Sequence, residues 1–266
     1  VTHGNGPQVG NILIQNEEAS GVVPPLPLDF CGAESQGMIG YMIQRSLANE
    51  LKSRGIKRLT CTVITQVLVD PDDPAFKNPS KPIGPYYNQS KVADLEAKGY
   101  VMTEIPGRGW RRVVPSPEPK AIVEREVIME LVEAGVIVIA SGGGGIPVAR
   151  RDDGSLYGVE AVIDKDLAGQ KLARDVGADI YLILTDVERA YLNYGREGEK
   201  PLGVLTPDEA RRYVEEGHFA AGSMGPKVIA AVRFVEEGGE KAIITALDRA
   251  RDALAGETGT VITRNP

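Results

Sequence analysis

The run Gly135-Val136-Ile137-Val138-Ile139-Ala140 constrains the fold more than any other feature of the chain. Continuous β-branched residues without polar alternation fit a strand covered on both faces, the usual situation in a parallel sheet. Parallel strands need crossover connections, most often helical, and the chain supplies them. Residues 59–65, 178–185 and 242–245 read as further strands, while 35–52, 119–133, 166–175, 206–216, 225–237 and 248–255 read as helices. Thr206-Pro207-Asp208-Glu209 carries a capping residue, Pro at the first helical position and acids in the first turn. Strands alternating with helices predict an α/β fold with a parallel sheet covered on both faces.

One stretch breaks the alternation. From Asp70 to Pro119 the chain is dense in Pro, Gly, Asn and Lys and includes Gly107-Arg108-Gly109-Trp110-Arg111-Arg112. Unstructured loops longer than about 15 residues are uncommon inside compact domains. The stretch therefore reads as an excursion from the main sheet, a small subdomain or lid; a long surface loop is the alternative.

Charge limits the partners. With 30 basic and 37 acidic residues the 266-residue chain has a formal charge of −7, so no basic excess exists to neutralise a nucleic-acid backbone. Any positive field must be confined to a pocket. Cys31 and Cys61 cannot build a disulfide framework, and with two histidines in all a zinc site is not expected. The longest apolar run, Val136 to Ala140, is too short to span a bilayer. With no secretory signal, the expected compartment is the cytoplasm. The chain opens Val1-Thr2-His3-Gly4, without an initiator Met and without the strand body expected before a glycine turn, so a preceding segment is expected to be missing.

Several segments carry chemistry suited to anions. Gly4-Asn5-Gly6-Pro7-Gln8-Val9-Gly10 follows a strand end and leads towards a helix. Glycine N–H groups and a helix N-terminus favour an anion there, although an ordinary glycine turn is the other reading. Ser141-Gly142-Gly143-Gly144-Gly145 closes the most buried strand, where ligands of open α/β sheets bind. Four glycines have no packing rationale in sequence; a flexible turn is the alternative. Neither loop matches the P-loop or dinucleotide signature. Asp164-Lys165-Asp166 lies between apolar brackets at a helix start. Lys165 is placed there to meet a phosphoryl group and an Asp to hold it, unless the triplet is a solvated charge run. In Gly222-Ser223-Met224-Gly225-Pro226-Lys227 the lysine falls near the positive end of a helix, where a cation is disfavoured unless an anion binds; a snorkelling surface Lys is the alternative. The stiff Pro115-Ser116-Pro117-Glu118-Pro119 delivers Lys120, or serves as a linker. Leu184-Thr185-Asp186-Val187 ends a strand with groups suited to a ribose, a base or a metal-bound phosphate, or with a cap for the next element.

Taken in order, Thr2–Gly10, Gly107–Pro117, Ala140–Gly145, Glu160–Ala168, Leu184–Val187 and Gly217–Lys227 resemble the carbamate kinases of the amino acid kinase family over nearly the whole chain. The resemblance implies a three-layer αβα sandwich with a mainly parallel central sheet, a small protruding subdomain at about 70–119, and a homodimer. It implies an N-terminal lobe, residues 1–165, for carbamate or carbamoyl phosphate. A C-terminal lobe, residues 166–266, would hold ATP or ADP with Mg²⁺. The implied reaction is ATP + carbamate ⇌ ADP + carbamoyl phosphate. Carried over residue by residue, Gly4, Asn5 and Gly6 contact the transferring phosphoryl group, and Ser141, Gly142 and Gly143 hold carbamate. Lys120, Lys165 and Lys227 approach the phosphates with Asp166 orienting them. Thr185, Asp186 and Val187 lie along the nucleotide with Met224 and Gly225, and no side chain is assigned as a metal ligand. The family's N-terminal strand and Gly-Gly-Asn-Ala loop have no counterpart in this sequence. A sister kinase acting on acetylglutamate, aspartate or UMP is the nearest alternative, and a non-catalytic ligand-binding protein is the other.

Overall fold

The computed structural model describes residues 1–220 and 222–265. The chain divides into two compact units, Val1–Ala168 and Gly169–Pro266.

The first unit opens with two helices, α1 (Gly6–Ala19) and α2 (Leu28–Ser53), followed by strands β1 (Thr60–Thr62) and β2 (Gln66–Leu68). Then come β3 (Lys81–Tyr87), α3 (Val92–Ala97), β4 (Val101–Ile105) and β5 (Gly109–Val114). The unit continues through β6 (Ala121–Ile122), α4 (Arg125–Glu133), β7 (Ile137–Ile139), β8 (Ile146–Arg150) and β9 (Leu156–Gly158). The boundary falls inside α5 (Lys165–Asp175). β1 pairs in parallel with β7, and β2 with β8. Val1 extends this arrangement beside β7: its amino group donates to Val138 O at 2.7 Å, and Ala140 N–H donates to Val1 O at 2.9 Å. The centre of the β-branched run, residues 137–139, thus forms a strand with neighbours on both sides.

Residues 81–114 carry a separate three-stranded antiparallel sheet in the order β3-β5-β4. Its own small core joins Val92, Leu95 and Met102 to Tyr87 and Trp110. A second cluster, Val9, Leu28, Ile83 and Val114 with Leu13 and Val162, packs α1 against β3 and β5. The arginine-rich segment is a hairpin, with Gly107 and Gly109 at φ 73° and 102° supplying the turn.

Helix α4 starts later than the expected 119–133. Lys120 N–H is bound to Leu68 O at 2.8 Å and β6 pairs with β2, so residues 120–122 are held in extended backbone and a turn at 123–124 precedes the helix. Helix α2 begins earlier than expected, at Leu28 behind the extended Pro27.

The second unit holds β10 (Ile180–Thr185), β11 (Tyr191–Leu192), β12 (Lys200–Pro201), β13 (Val204–Leu205), α6 (Pro207–Glu215) and α7 (Met224–Glu236). It ends with β14 (Lys241–Ala246), α8 (Ala250–Leu254) and β15 (Thr260–Thr263). Its sheet runs β10-β14-β15-β13, with β10 and β14 parallel across the α6–α7 crossover. Phe234, Val235, Ile243, Ile244 and Ile262 are fully buried in it. Thr206 and Glu209 form a reciprocal capping box at the start of α6. No helix among the described residues is long and apolar enough to cross a membrane.

Candidate active site

The first unit brings three sequence-marked segments together at the carboxyl end of β7. Helix α1 begins at Gly6 with Asn5 as its N-cap residue, yet no side chain caps it and no acid stands in its first turn. The Asn5 amide donates instead to Ser35 Oγ at 2.9 Å. A helix end with neither cap nor acid leaves its first-turn N–H groups and its positive end to an anion.

The glycine run lies directly against this turn. Gly143 N–H donates to His3 O at 2.7 Å, and Thr2 Oγ1 donates to Ser141 O at 3.2 Å. A Cβ on Gly142 would meet the His3 ring at 2.2 Å, and one on Gly143 would meet the Asn5 amide at 2.0 Å. Gly144 and Gly145 press equally closely on Ile163 O and the Val67 side chain. The expectation that these glycines lack a packing rationale is therefore corrected: all four are required by close approach. The partners were hidden because they lie far away in sequence. Burial pushes the His3 imidazole below its ordinary value, only partly offset by the hydrogen bond with Gly4 O, so the ring facing Gly142 is neutral at neutral pH.

Ser141, at the head of the loop, sits at φ 54° and ψ 33°, a left-handed conformation rare for serine. Its backbone N–H is held by Thr65 Oγ1 at 2.9 Å. Its buried hydroxyl has no hydrogen-bond partner among the described residues. A buried, unsatisfied hydroxyl costs about 1–3 kcal/mol, a penalty that a bound polar ligand removes.

Lys165 reaches the same place. Its Cδ lies 3.4 Å from where a Gly4 Cβ would stand, and its ammonium is 2.9 Å from Asp166 Oδ1. Asp166 is buried. Asp164, the residue before α5, accepts the N–H groups of Asp166 and Leu167 at 2.9 and 3.3 Å and so caps the helix. Its other oxygen binds the Lys81 ammonium at 2.9 Å, an ion pair between the first residue of β3 and the turn that carries Lys165. Burial alone would raise the Asp164 carboxyl. The Lys81 charge and the two backbone N–H bonds outweigh it and hold the group below the usual carboxylate range.

A folded-state value lower than the unfolded one means that this group contributes stability above the unfolded pKa, near 4. That contribution disappears as pH falls through the folded value. Asp164→Asn, which keeps a capping side chain but loses the ion pair, is expected to lower stability by about 1 kcal/mol at pH 7, since Lys81 is partly exposed. It is also expected to flatten the loss of stability below pH ~4. Thermal melts from pH 7 to pH 3 on both proteins check this; parallel pH curves would refute it.

Lys120 comes from a different segment, the extended chain before β6. It is exposed at the start of β6, within electrostatic reach of Asp73, whose carboxylate holds the N–H groups of Ala75 and Glu118. The arginines of the hairpin are committed to structure. Arg111 donates to Gly84 O at 2.9 Å, and Arg112 pairs with Glu160 at 2.8 Å and lies 4.1 Å above the Tyr100 ring.

In the second unit, α7 repeats the pattern of α1. Its N-cap Ser223 makes no side-chain cap and its first turn holds no acid. Lys227, the fourth residue of this helix, is only 9 % exposed, which excludes the snorkelling reading. Gly225 N–H donates to Ala220 O at 3.0 Å. Thr185 ends β10 and donates to Asp186 Oδ1 at 3.0 Å; Asp186 is exposed and Val187 half-buried. Among the described residues no group of three or more His, Cys, Asp or Glu is placed to hold a metal ion.

Sequence reasoning missed Lys81, Ser35, Gln36 and Thr65. Nothing local distinguishes them; the partners that place them in the site lie 29 to 106 residues away, Lys81 among them at 83, whose charge was visible but not its destination.

The amino acid kinase family model matches residues 1–246, and the chain belongs to that family and has its fold. Within it, the chain is similar to curated carbamate kinases. That of Thermococcus kodakarensis is 58 % identical over 99 % of this chain and 84 % of its own length. That of Pyrococcus furiosus is 58 % identical over 98 % and 84 %. Among solved structures, carbamate kinase from Giardia lamblia bound to AMP-PNP superposes with a TM-score of 0.92 at 48 % identity, covering 98 % of this chain and 83 % of that one.

Proposed function

We propose that the chain is a carbamate kinase, transferring a phosphoryl group between ATP and carbamate to give ADP and carbamoyl phosphate. The observation that carries this reading is the uncapped, acid-free start of α1, lined by the glycine loop and approached by Lys165. The carbamate kinases at 58 % identity support it. In this reading Gly4, Asn5 and Gly6 hold the transferring phosphoryl group by backbone N–H donation. Ser141, Gly142 and Gly143 take the small acceptor, with the unsatisfied Ser141 hydroxyl as a donor. Lys165, steadied by Asp166, neutralises phosphoryl charge, and Lys120 serves the acceptor side. Lys227, Met224, Gly225, Thr185, Asp186 and Val187 handle the nucleotide.

A carbamate oxygen is already anionic and needs no general base. It attacks the γ-phosphorus as the bond to the ADP oxygen breaks, and positioning with charge neutralisation supplies the rate. Mg²⁺, when bound, neutralises phosphate charge. It is expected to arrive on the nucleotide, since this ion is held largely by phosphates and water, with the exposed Asp186 carboxylate as the available oxygen donor. A nucleotide substrate makes the cytoplasm the proposed compartment. Coupled measurement of ATP formation from ADP and carbamoyl phosphate is the direct test. Turnover with carbamoyl phosphate but not with acetylglutamyl, aspartyl or uridylyl substrates is expected; its absence, with ligand binding retained, would leave the non-catalytic reading.

A homodimer is part of the same proposal. Helix α2 exposes Phe30, Met38, Tyr41 and Met42 at helical spacing, an apolar stripe of the kind that marks interfaces. Met38→Asp combined with Tyr41→Asp is expected to convert a dimer into a monomer by light scattering, whereas an unchanged mass would exclude this face.

A further inference from the structure

We infer that Gln36, which takes no part in the chemistry, is the positioning residue that holds the acceptor loop to α2, the helix that also carries the anchor of the phosphoryl-binding turn. The inference rests on the acceptor reading given above. Gln36 lies on α2 and is 2 % exposed. Its amide uses both ends: Nε2 donates to Thr65 O and to Gly142 O, each at 3.1 Å, and Oε1 accepts Thr65 N–H at 2.8 Å. Thr65 in turn donates through Oγ1 to Val63 O at 2.7 Å and accepts the N–H of Ser141. One buried carboxamide therefore fixes the carbonyl of Gly142 and, through Thr65, the backbone of Ser141.

The neighbouring residue does the same for the other wall. Ser35 Oγ accepts the Asn5 amide at 2.9 Å and donates to Gly32 O at 2.7 Å. Consecutive residues of one helix thus hold the start of α1 and the Ser141–Gly143 loop. The gap between the phosphoryl-binding N–H groups and the acceptor donors is set by α2, a rigid 26-residue helix. Such a fixed gap selects a small planar acceptor and keeps it in line with the phosphorus.

The chemistry also explains why the residue is glutamine. The site demands a donor for two carbonyl oxygens and an acceptor for one N–H, which a carboxylate cannot satisfy. Gln36→Glu is nearly isosteric, but when ionised its carboxylate faces two carbonyls. Burial raises the new carboxyl's pKa, and only its protonated form restores one donor.

The test uses the full chain. Gln36→Met is expected to lower kcat for ATP formation about 10–100-fold. KM for ADP should stay within about twofold, because the nucleotide is handled elsewhere. Gln36→Glu is expected to be similarly slow at pH 8 and to regain activity, relative to the unaltered chain, as pH falls towards 6. If Gln36→Met does not fold, the pH profile of Gln36→Glu decides. Unchanged kcat in either folded variant, or a Gln36→Glu profile parallel to that of the unaltered chain, overturns the inference.

Failure of the underlying reading is separately visible, as no ATP formation by the unaltered chain. In that case thermal stabilisation by carbamoyl phosphate settles the matter. A shift in the unaltered chain that is lost in the Gln36 variants supports the positioning role. Equal shifts, or none, refute it.

Discussion

Replacing Lys227 by methionine is expected to lower kcat for ATP formation from ADP and carbamoyl phosphate by about 10²–10³-fold, the usual cost of removing one charge-stabilising contact in group transfer. Some loss of melting temperature is expected as well, so the rate is read on protein shown by calorimetry to be folded at the assay temperature. The reasoning starts from where the ammonium sits. Lys227 is 9 % exposed in the first turns of α7, where the backbone dipole opposes a cation. Withdrawing an ammonium from water costs several kcal/mol after relaxation. Lys227 has an interaction within the fold, and removing one member of a buried charged group leaves the other uncompensated, so some stability is lost with the charge. The position makes sense when a polyanion arrives at the same uncapped helix end. Methionine keeps the apolar stem and removes only the charge. Arginine, which keeps charge but not shape, should recover part of the rate. A kcat within threefold of the unaltered chain would remove Lys227 from the nucleotide machinery and leave it a purely structural buried cation.

Why Lys227 stood out in the sequence, and Gln36 did not, shows what a sequence carries. The β-branched run 135–140, the strand end at Thr185, the strand over 242–245 and the helix following Ser223 are local patterns, and the backbone follows them to within a few residues. Loops at strand ends in an α/β sheet are displayed on one edge, so Gly4–Gly6 and Ser141–Gly143 were recognisable as candidates before any contact was known. Their mutual fit was not. The reason for four successive glycines is the passage of His3, Asn5, Val67 and Ile163 within van der Waals distance, and no local rule states which distant segment will pass. Gln36 and Thr65 present the same difficulty in stronger form. A buried glutamine on a helix reads as an ordinary polar residue until its three backbone partners are seen. The ends of β1 and the start of α4 were misjudged, and β2 was not foreseen, for a related reason. Residues 120–124 are held by the edge of β2 and by Glu124, which binds the Gln66 backbone and side chain at 2.7 and 2.8 Å; tertiary pairing overrides local helical preference there.

Gly143→Ala is expected to lower the melting temperature by about 5–15 °C and to abolish most turnover. Two separate penalties add. The backbone of Gly143 lies at φ 67°, which costs an L-residue about 1–2 kcal/mol. The new methyl group would also stand 2.0 Å from the Asn5 amide, and overpacking of a fixed site costs about 1–3 kcal/mol more. Asn5 cannot swing aside freely, because its amide is bound to Ser35 and its neighbour His3 accepts the Gly143 N–H at 2.7 Å. Relief must come from displacement of the loop or of the α1 start, and either movement changes the gap across which phosphoryl transfer takes place. A sum of about 2–5 kcal/mol converts to the stated shift at about 2–4 °C per kcal/mol for a chain of this size. Gly154→Ala provides the contrast, with φ 85° but no atom within 4 Å of the added Cβ; it should cost about 1–2 kcal/mol and leave kcat intact. Calorimetry and steady-state rates on the two variants separate backbone strain from loop displacement. If Gly143→Ala were destabilised yet fully active, the close contact between the α1 start and the glycine loop would serve packing alone, and the acceptor would have to bind elsewhere in the unit.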